Sequence, residues 1–319
     1  KIEHFPCSNV AEVSDNTKPG YWIVTDEKGT KYQFEWGGGN SSESMYPNNT
    51  PDTSGGTSPL AFNTYNPTFV LTRIENTTGE KIWLYYTKEY YFYKGNDVHQ
   101  YHLNDASQME AACNNPTNGF LSPAEKSVYN YVIESRIDSI FSSNGESVVF
   151  SYSARQDLYG ASKLNRIAKY FRSNSGYQFI KAFDLTNGYF GTGANCRDLR
   201  LKLLSVIEKD NNDQGGSEYS FTYDSTLLPS RVSPAQDSAG YYNGQTSNTN
   251  LVPVYGGNRS YSFPYTKACA LEKVNYPTVG YTYLEYELKQ NGGLRIKRKT
   301  DYANGKGYSI KEYEYGNMY

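Results

Sequence analysis

The residues best suited to metal or nucleophilic chemistry are few in this chain and lie far apart. They are three histidines and four cysteines, namely His4, His99, His102, Cys7, Cys113, Cys196 and Cys269. A closed metal site needs three or four ligands, and the chain has no cysteine pair of the zinc-motif type. We therefore interpret His99 and His102 as surface residues and expect no metal and no cofactor. The cysteines are either separate buried residues or disulfide partners, which sequence alone does not pair.

One acidic turn has a partial likeness to a calcium-binding loop. It runs from Asp210 to Gly215, but Phe221 stands where such a loop needs its twelfth-position glutamate. We interpret it as a polar hairpin turn. Motifs of serine hydrolases, zinc proteases, P-loops and dinucleotide-binding domains do not occur, and no carboxylate pair stands out for glycoside hydrolysis. The sequence thus favours a protein that is not an enzyme.

Aromatic side chains offer the remaining chemistry, because exposed aromatic rings can stack on sugars. Trp22, Trp36 and Trp83 are the obvious candidates for contact with a ligand or partner, together with Tyr241 and Tyr242 in a later loop. The three tryptophans are in phase with strands of period two, which favours their interpretation as core residues. Their burial therefore discriminates between a scaffold and a glycan-binding module.

The composition limits the class of protein. The chain has 319 residues, a formal net charge of −2 and 16% aromatic residues, of which 33 are Tyr. Nucleic-acid binding normally requires a basic excess, so this balance argues against it. No apolar run is long enough for a membrane-spanning helix. The chain begins with Lys1-Ile2-Glu3, so we expect either a cytosolic protein or an exported one whose leader has been removed.

The most informative pattern is a unit that occurs seven times: an apolar strand, a short polar turn, and a strand whose aromatic residues alternate at period two. The seven units cover residues 21–36, 69–86, 133–152, 164–185, 199–223, 271–288 and 294–315. Such alternation is typical of half-buried antiparallel strands, and Asn144-Gly145 is the strongest hairpin turn among them. The sequence predicts an all-β fold of antiparallel sheet, built from about seven consecutive β-hairpins with minimal helix and arranged as a shell or large sandwich.

The segments between the hairpins predict one elongated domain over residues 1–319, with a soft boundary near 94–127. Residues 37–59, 94–121 and 229–264 are polar and without periodicity, so we expect loops there, with an ordered loop at 233–257. A short helix is expected over Asp105 to Cys113 and a helical turn at Ser122 to Glu125. In the last hairpin, a β-bulge near Lys311 and Glu312 would align its aromatic residues.

Three segments carry a family resemblance. They are residues 228–244, which contain Leu-Pro-Ser-Arg and Gln-Asp-Ser-Ala-Gly-Tyr-Tyr-Asn-Gly, residues 271–287, which contain Asn-Tyr-Pro-Thr-Val-Gly-Tyr-Thr, and residues 292–296, Gly-Gly-Leu-Arg-Ile. With the hairpins that end in Phe150-Ser151-Tyr152 and Phe221-Thr222-Tyr223, they resemble the region preceding the YD repeats in large RHS-type surface proteins of Bacteroidetes. The resemblance is strongest over residues 199–315.

This resemblance implies an RHS-like β shell exported to the cell surface or outer membrane of a Gram-negative bacterium, often with a lipid anchor. The implied function is that of a non-enzymatic extracytoplasmic β scaffold. Its partner would be a downstream YD-repeat region or another surface protein, with no nucleic acid and no membrane span in this chain. The alternative function is a glycan-binding module or carbohydrate-active enzyme that uses exposed aromatic residues.

Overall fold

The structure is a computed structural model. It describes residues 1–5, 20–45, 66–94, 98–103, 121–193, 195–253, 256–289 and 292–316. Cys7, Cys113 and the helix expected over Asp105 to Cys113 lie outside these residues. No helix in the described ranges is long and apolar enough to cross a membrane.

The described chain consists almost entirely of β-strands. The first eight are β1 (Ile2–Phe5), β2 (Tyr21–Thr25), β3 (Lys31–Met45), β4 (Asn66–Glu75), β5 (Lys81–Lys94), β6 (Val98–Leu103), β7 (Leu121–Ser142) and β8 (Glu146–Ala154). The others are β9 (Ser162–Ser173), β10 (Gly176–Phe190), β11 (Arg200–Lys209), β12 (Gly215–Tyr223), β13 (Leu271–Asn275), β14 (Tyr281–Leu288), β15 (Leu294–Ala303) and β16 (Gly307–Glu312). A 3₁₀ turn at Cys196–Asp198 and a single α-helical turn, α1 (Phe263–Thr266), are the helical elements of the described residues.

The strands follow one another through a single antiparallel sheet in nearly chain order. All seven predicted hairpins are present, and the predicted all-β antiparallel fold is confirmed. Strands β1 and β6 were not expected; β1 pairs with β2, and β6 pairs with the beginning of β7.

Three of the hairpin turns share one local design. Asp26, Asn76 and Asp210 each accept backbone N–H groups of the residues two and four positions later through a side-chain oxygen. The residue three positions after each has a positive φ, as at Gly79 with 86°. This Asx turn closes the strands because the side chain replaces a missing backbone acceptor. Asp210 therefore serves as a turn residue, as its sequence predicted.

A side-chain bridge, here called the hairpin clasp, spans six of the seven hairpins. In each clasp a side chain of the second half of the hairpin donates a hydrogen bond to a Leu or Ile carbonyl of the first strand, just beyond the end of the backbone ladder between the two strands. The pairs are Tyr86–Leu71, Tyr152–Ile137, Asn187–Leu164, Tyr223–Leu203, Tyr286–Leu271 and Tyr315–Ile296, at 2.6 to 2.8 Å. In the first five, the next strand along the sheet has a β-bulge, one extra residue opposite the step just before the donor. The clasp satisfies a carbonyl where the hairpin strands separate.

Few apolar side chains are fully buried. Among the described residues the buried apolar ones are four alanines and Leu199. Many large rings remain exposed along the sheet, such as Tyr90 at 65% and Phe92 at 56%. The sheet is therefore held mainly by backbone ladders, clasps and half-buried aromatic contacts rather than by a dense aliphatic core.

Four expectations from the sequence are wrong where the structure describes the chain. The loop expected from residue 37 is strand β3 through Met45, and the segment 98–103 is strand β6. The helical turn expected at Ser122 is part of β7. Each segment is polar, but pairing with a neighbouring strand satisfies its backbone whatever its side chains are. The bulge expected near Lys311 is also wrong, because β15 and β16 pair regularly through Glu312.

Candidate functional site

Four strands form a closed ring at the N-terminal end of the sheet. Strand β3 pairs with β4, β4 with β5, and β5 with β7. The second half of β3 then pairs with β7 as well, from Gly39 opposite Ile133 to Met45 opposite Ser127. This closure distinguishes the four strands of the ring from β8 to β16, which form an open sheet in chain order.

The ring contains a cavity of about 440 Å³. Its size falls within the range of small-molecule sites, roughly 300–1,000 Å³. The lining comes from all four strands and comprises Gln33, Glu35, Trp36, Val70, Thr72, Arg73, Trp83, Leu84, Tyr85, Tyr86, Lys88 and Ser135. Two of the three tryptophans proposed from the sequence as contact residues, Trp36 and Trp83, thus line one cavity.

Lys88 is a charged residue of the cavity lining with contacts to two other lining residues. Its Nζ donates to the carbonyl of Trp36 at 3.1 Å and to Oγ of Ser135 at 2.7 Å, and it lies 4.4 Å from the centre of the Trp36 ring. Burial lowers the pKa of Lys88. No carboxylate of the described residues forms an ion pair with it. Lys88 is thus a half-buried cation held by neutral acceptors and an indole face.

The cavity lining also includes a second cation, Arg73, and a carboxylate, Glu35. Gln33, Arg73 and Trp83 are direct cross-strand neighbours on β3, β4 and β5. The Arg73 guanidinium has a single long contact, 3.9 Å to Glu75. The exposed Glu35 accepts a hydrogen bond of 2.7 Å from Nε2 of Gln33. The cavity therefore combines two cations, one carboxylate and two indole rings.

Trp22 lies apart from this cavity. It is opposite Phe34 in the ladder of β2 and β3, and its ring makes an edge-to-face contact with Phe69 at 6.2 Å. Trp22, Trp36 and Trp83 are all half-buried. They are therefore neither buried core residues nor fully exposed ones.

Tyr241 and Tyr242 lie in the long loop before α1, far along the chain from the tryptophans. In the described part of this loop, the buried Asn243 donates a hydrogen bond to the carbonyl of Asn258 at 2.8 Å. The Tyr241 ring lies against Gly293, and the Tyr242 ring packs edge-to-face on Tyr265 at 5.2 Å. Tyr241 thus packs the loop against the turn before β15, and Tyr242 packs on α1; neither tyrosine is part of the cavity lining.

A buried ion network holds the middle of the sheet. The Asp157 side chain is fully buried; it accepts two hydrogen bonds from Arg155, at 3.0 and 2.7 Å, and one from Arg231 at 2.6 Å. Burial by itself would raise the pKa of Asp157, but the arginines and the backbone N–H of Leu201 lower it below its ordinary value. The network joins the segment after β8 to β11 and to the long loop, although the buried Nε of Arg231 has no hydrogen-bond partner among the described residues.

The described residues contain no group of three or more His, Cys, Asp or Glu side chains that could hold a metal ion. Asp213, in the acidic turn, pairs with Arg166 instead. Cys196 is an exposed free thiol, and Cys269 is a half-buried one whose Sγ contacts the carbonyl of Thr226.

Sequence reasoning missed Lys88, Arg73 and Ser135. The only local signal was a lysine within the aromatic stretch Trp83 to Tyr93, where a charge on a half-buried strand is unusual. Ser135 donates a hydrogen bond to the carbonyl of Gly37, 98 residues earlier in the chain, and no local sequence pattern predicts this contact.

No known family model matches the chain, and no curated protein matches it. Among solved structures, the chain is similar to TcdB2-TccC3-TEV, with 10% sequence identity and a TM-score of 0.31 over 64% of this chain. It spans 10% of the length of that protein. It is also similar to a porin-like protein from Bacteroides uniformis ATCC 8492, with 11% identity and a TM-score of 0.29 over 94% of each chain.

Proposed function

We propose that this protein is a non-enzymatic β scaffold of the extracytoplasmic surface, part of an RHS/YD-type surface protein. Its hairpins, stabilised by the hairpin clasp, form an extended β-sheet. The exposed aromatic residues of this sheet would contact a partner. The partner is a YD-repeat region or another surface protein of a Gram-negative bacterium.

The observation that carries this proposal is the hairpin clasp. Its six donors stand at matching places in consecutive hairpins, and four of them end the sequence pattern apolar-x-Tyr, as in Phe150-Ser151-Tyr152. The same pattern supports the resemblance to RHS-type chains. A hairpin that is stabilised by its own clasp can be added to the sheet without a separate hydrophobic core. Repeated hairpins of this kind can therefore form an extended sheet.

The exposed aromatic residues support a role in presentation. Tyr85, Tyr90 and Phe92 on β5 are 53%, 65% and 56% exposed, and Tyr308 on β16 is 66% exposed. Exposed aromatic clusters of this kind mark surfaces that other proteins cover.

The exposed thiol of Cys196 offers a test of the location. Intact cells of the source organism would be treated with a polymer-linked maleimide too large to cross the outer membrane, and labelled peptides would be mapped by mass spectrometry. We expect label at Cys196 in intact cells and much less at the half-buried Cys269. A Cys196→Ser chain is the matched control. Label that reaches Cys196 only after lysis would contradict a surface location.

A further inference from the structure

We propose that the ring cavity binds an acidic saccharide, with the sugar ring against Trp83 and its carboxylate on Lys88. This site goes beyond the scaffold function and does not depend on it, since it rests on the four strands β3, β4, β5 and β7 alone.

The charge balance of the cavity points to an anionic ligand group. A half-buried ammonium is costly without a counter-ion, and Lys88 has only neutral acceptors among the described residues. Two of its three protons are used by Trp36 and Ser135, so one remains for a ligand oxygen. Arg73, whose one ion-pair contact among the described residues is 3.9 Å long, supplies further donors from the cavity lining.

The aromatic lining points to a ring rather than a free inorganic anion. Trp83 lines the cavity beside the apolar side chains of Val70 and Leu84. Its indole N–H makes no hydrogen bond with any described residue, so it can donate to a hydroxyl group. The Trp36 ring has Lys88 over it, which leaves Trp83 as the stacking surface.

Glu35 orients the ligand. Its carboxylate accepts from Gln33 on the same wall and repels a second carboxylate placed there. A saccharide with one acidic group per ring would therefore direct that group to Lys88 and Arg73, and its hydroxyl groups to Glu35 and Gln33. A neutral saccharide would leave the Lys88 charge uncompensated.

Isothermal titration calorimetry with the whole chain tests this proposal. The probes are oligomers of galacturonic acid, the matching neutral galactose oligomers, and inorganic sulfate. We expect saturable binding of one acidic oligomer per chain, at least tenfold tighter than the neutral oligomer and than sulfate. Absence of binding, equal affinity for the neutral oligomer, or equal affinity for sulfate would each overturn the proposal.

Variants locate the site. Lys88→Gln keeps a donor for Ser135 but removes the charge, and we expect at least a tenfold loss of affinity for the acidic oligomer. Lys163→Met is the control, because Lys163 is a half-buried lysine over the Tyr189 ring on another part of the sheet. If Lys88→Gln does not fold, Arg73→Gln is the variant to measure. We expect it to lower the affinity for the acidic oligomer several-fold. Unchanged affinity in the folded cavity variant would show that the acidic oligomer binds elsewhere and would overturn the assignment.

Discussion

The hydroxyl of Tyr286 donates a hydrogen bond of 2.6 Å to the carbonyl of Leu271, fifteen residues earlier in the chain. The ladder between β13 and β14 ends at Lys273 opposite Tyr283, so this side chain continues the connection after the backbones have separated. Burial raises the pKa of Tyr286, as it does for Tyr86, Tyr152 and Tyr223 at the same place in their hairpins. One local device thus stabilises hairpin after hairpin.

Tyr286→Phe should lower the free energy of unfolding by about 1–2 kcal/mol, because the carbonyl of Leu271 loses its partner in a half-buried place. Urea titration followed by circular dichroism measures the change. The control is Tyr283→Phe on the same strand, whose hydroxyl makes no hydrogen bond with a described residue. Equal stability of both variants would mean that the clasp contributes nothing.

Asp157→Asn should destabilise the protein by about 3 kcal/mol, since it leaves Arg155 and Arg231 as partly buried charges without their counter-ion. Asp198→Asn makes the same change of charge at a residue without an ion pair in the described structure. We expect little effect there. A destabilisation of Asp157→Asn no larger than that of Asp198→Asn would contradict the role of the network.

The same carboxylate predicts a dependence of stability on pH. The pKa of Asp157 is lowered in the folded chain from its ordinary value of 3.8. Its contribution is therefore fully present above about pH 4 and is lost as the pH falls through the lower folded value. Melting temperatures measured between pH 2 and 6 should fall less steeply for Asp157→Asn than for the parent chain in the acid range. Parallel curves would rule this out.

Val279→Gly should stabilise the protein by about 1 kcal/mol. Val279 has φ 63°, in the turn position that Gly29 and Gly79 occupy in other hairpins, and a β-branched residue is strained in this region. Its side chain is 71% exposed, so little packing is lost. Thr278→Gly, at the neighbouring exposed position without positive φ, should destabilise slightly. Thermal denaturation of both variants and of the parent chain measures these changes. A lower stability of Val279→Gly than of the parent would show that Val279 is not strained.

Gly38→Ala should open the four-strand ring. A Cβ at Gly38, where φ is 124°, would overlap the carbonyl of Ile133 at the point where β3 meets β7. Gly79→Ala is the matched control, because φ is 86° there and no atom lies within 4 Å of the added Cβ. Hydrogen exchange should show lost protection in β3 and β7 for Gly38→Ala alone. Retained protection would show that the ring tolerates the side chain.

Lys311→Thr should promote self-association. Strand β16 is exposed along its whole length and ends the described sheet, and a lysine on such an edge discourages the addition of another strand. Lys297 lies on β15, which is not an edge strand, because it lies between β14 and β16. Lys297→Thr is therefore the control that should sediment like the parent. Analytical ultracentrifugation compares the three chains, and a monomeric Lys311→Thr would contradict the prediction.

The sequence by itself determined the seven hairpins, because period-two alternation and Asx turns act over fewer than about ten residues. It could not predict that residues 37–45 are a strand. A polar segment of this kind forms a strand only when its backbone groups hydrogen-bond to a neighbouring strand. It also placed Trp36 and Trp83 among the contact candidates without indicating that one cavity would join them. Tertiary structure alone decided the closure of β3 on β7, where Gly39 meets Ile133 across more than ninety residues of chain. That pairing, made by backbone groups common to all residues, brings Trp36, Trp83 and Lys88 around one cavity.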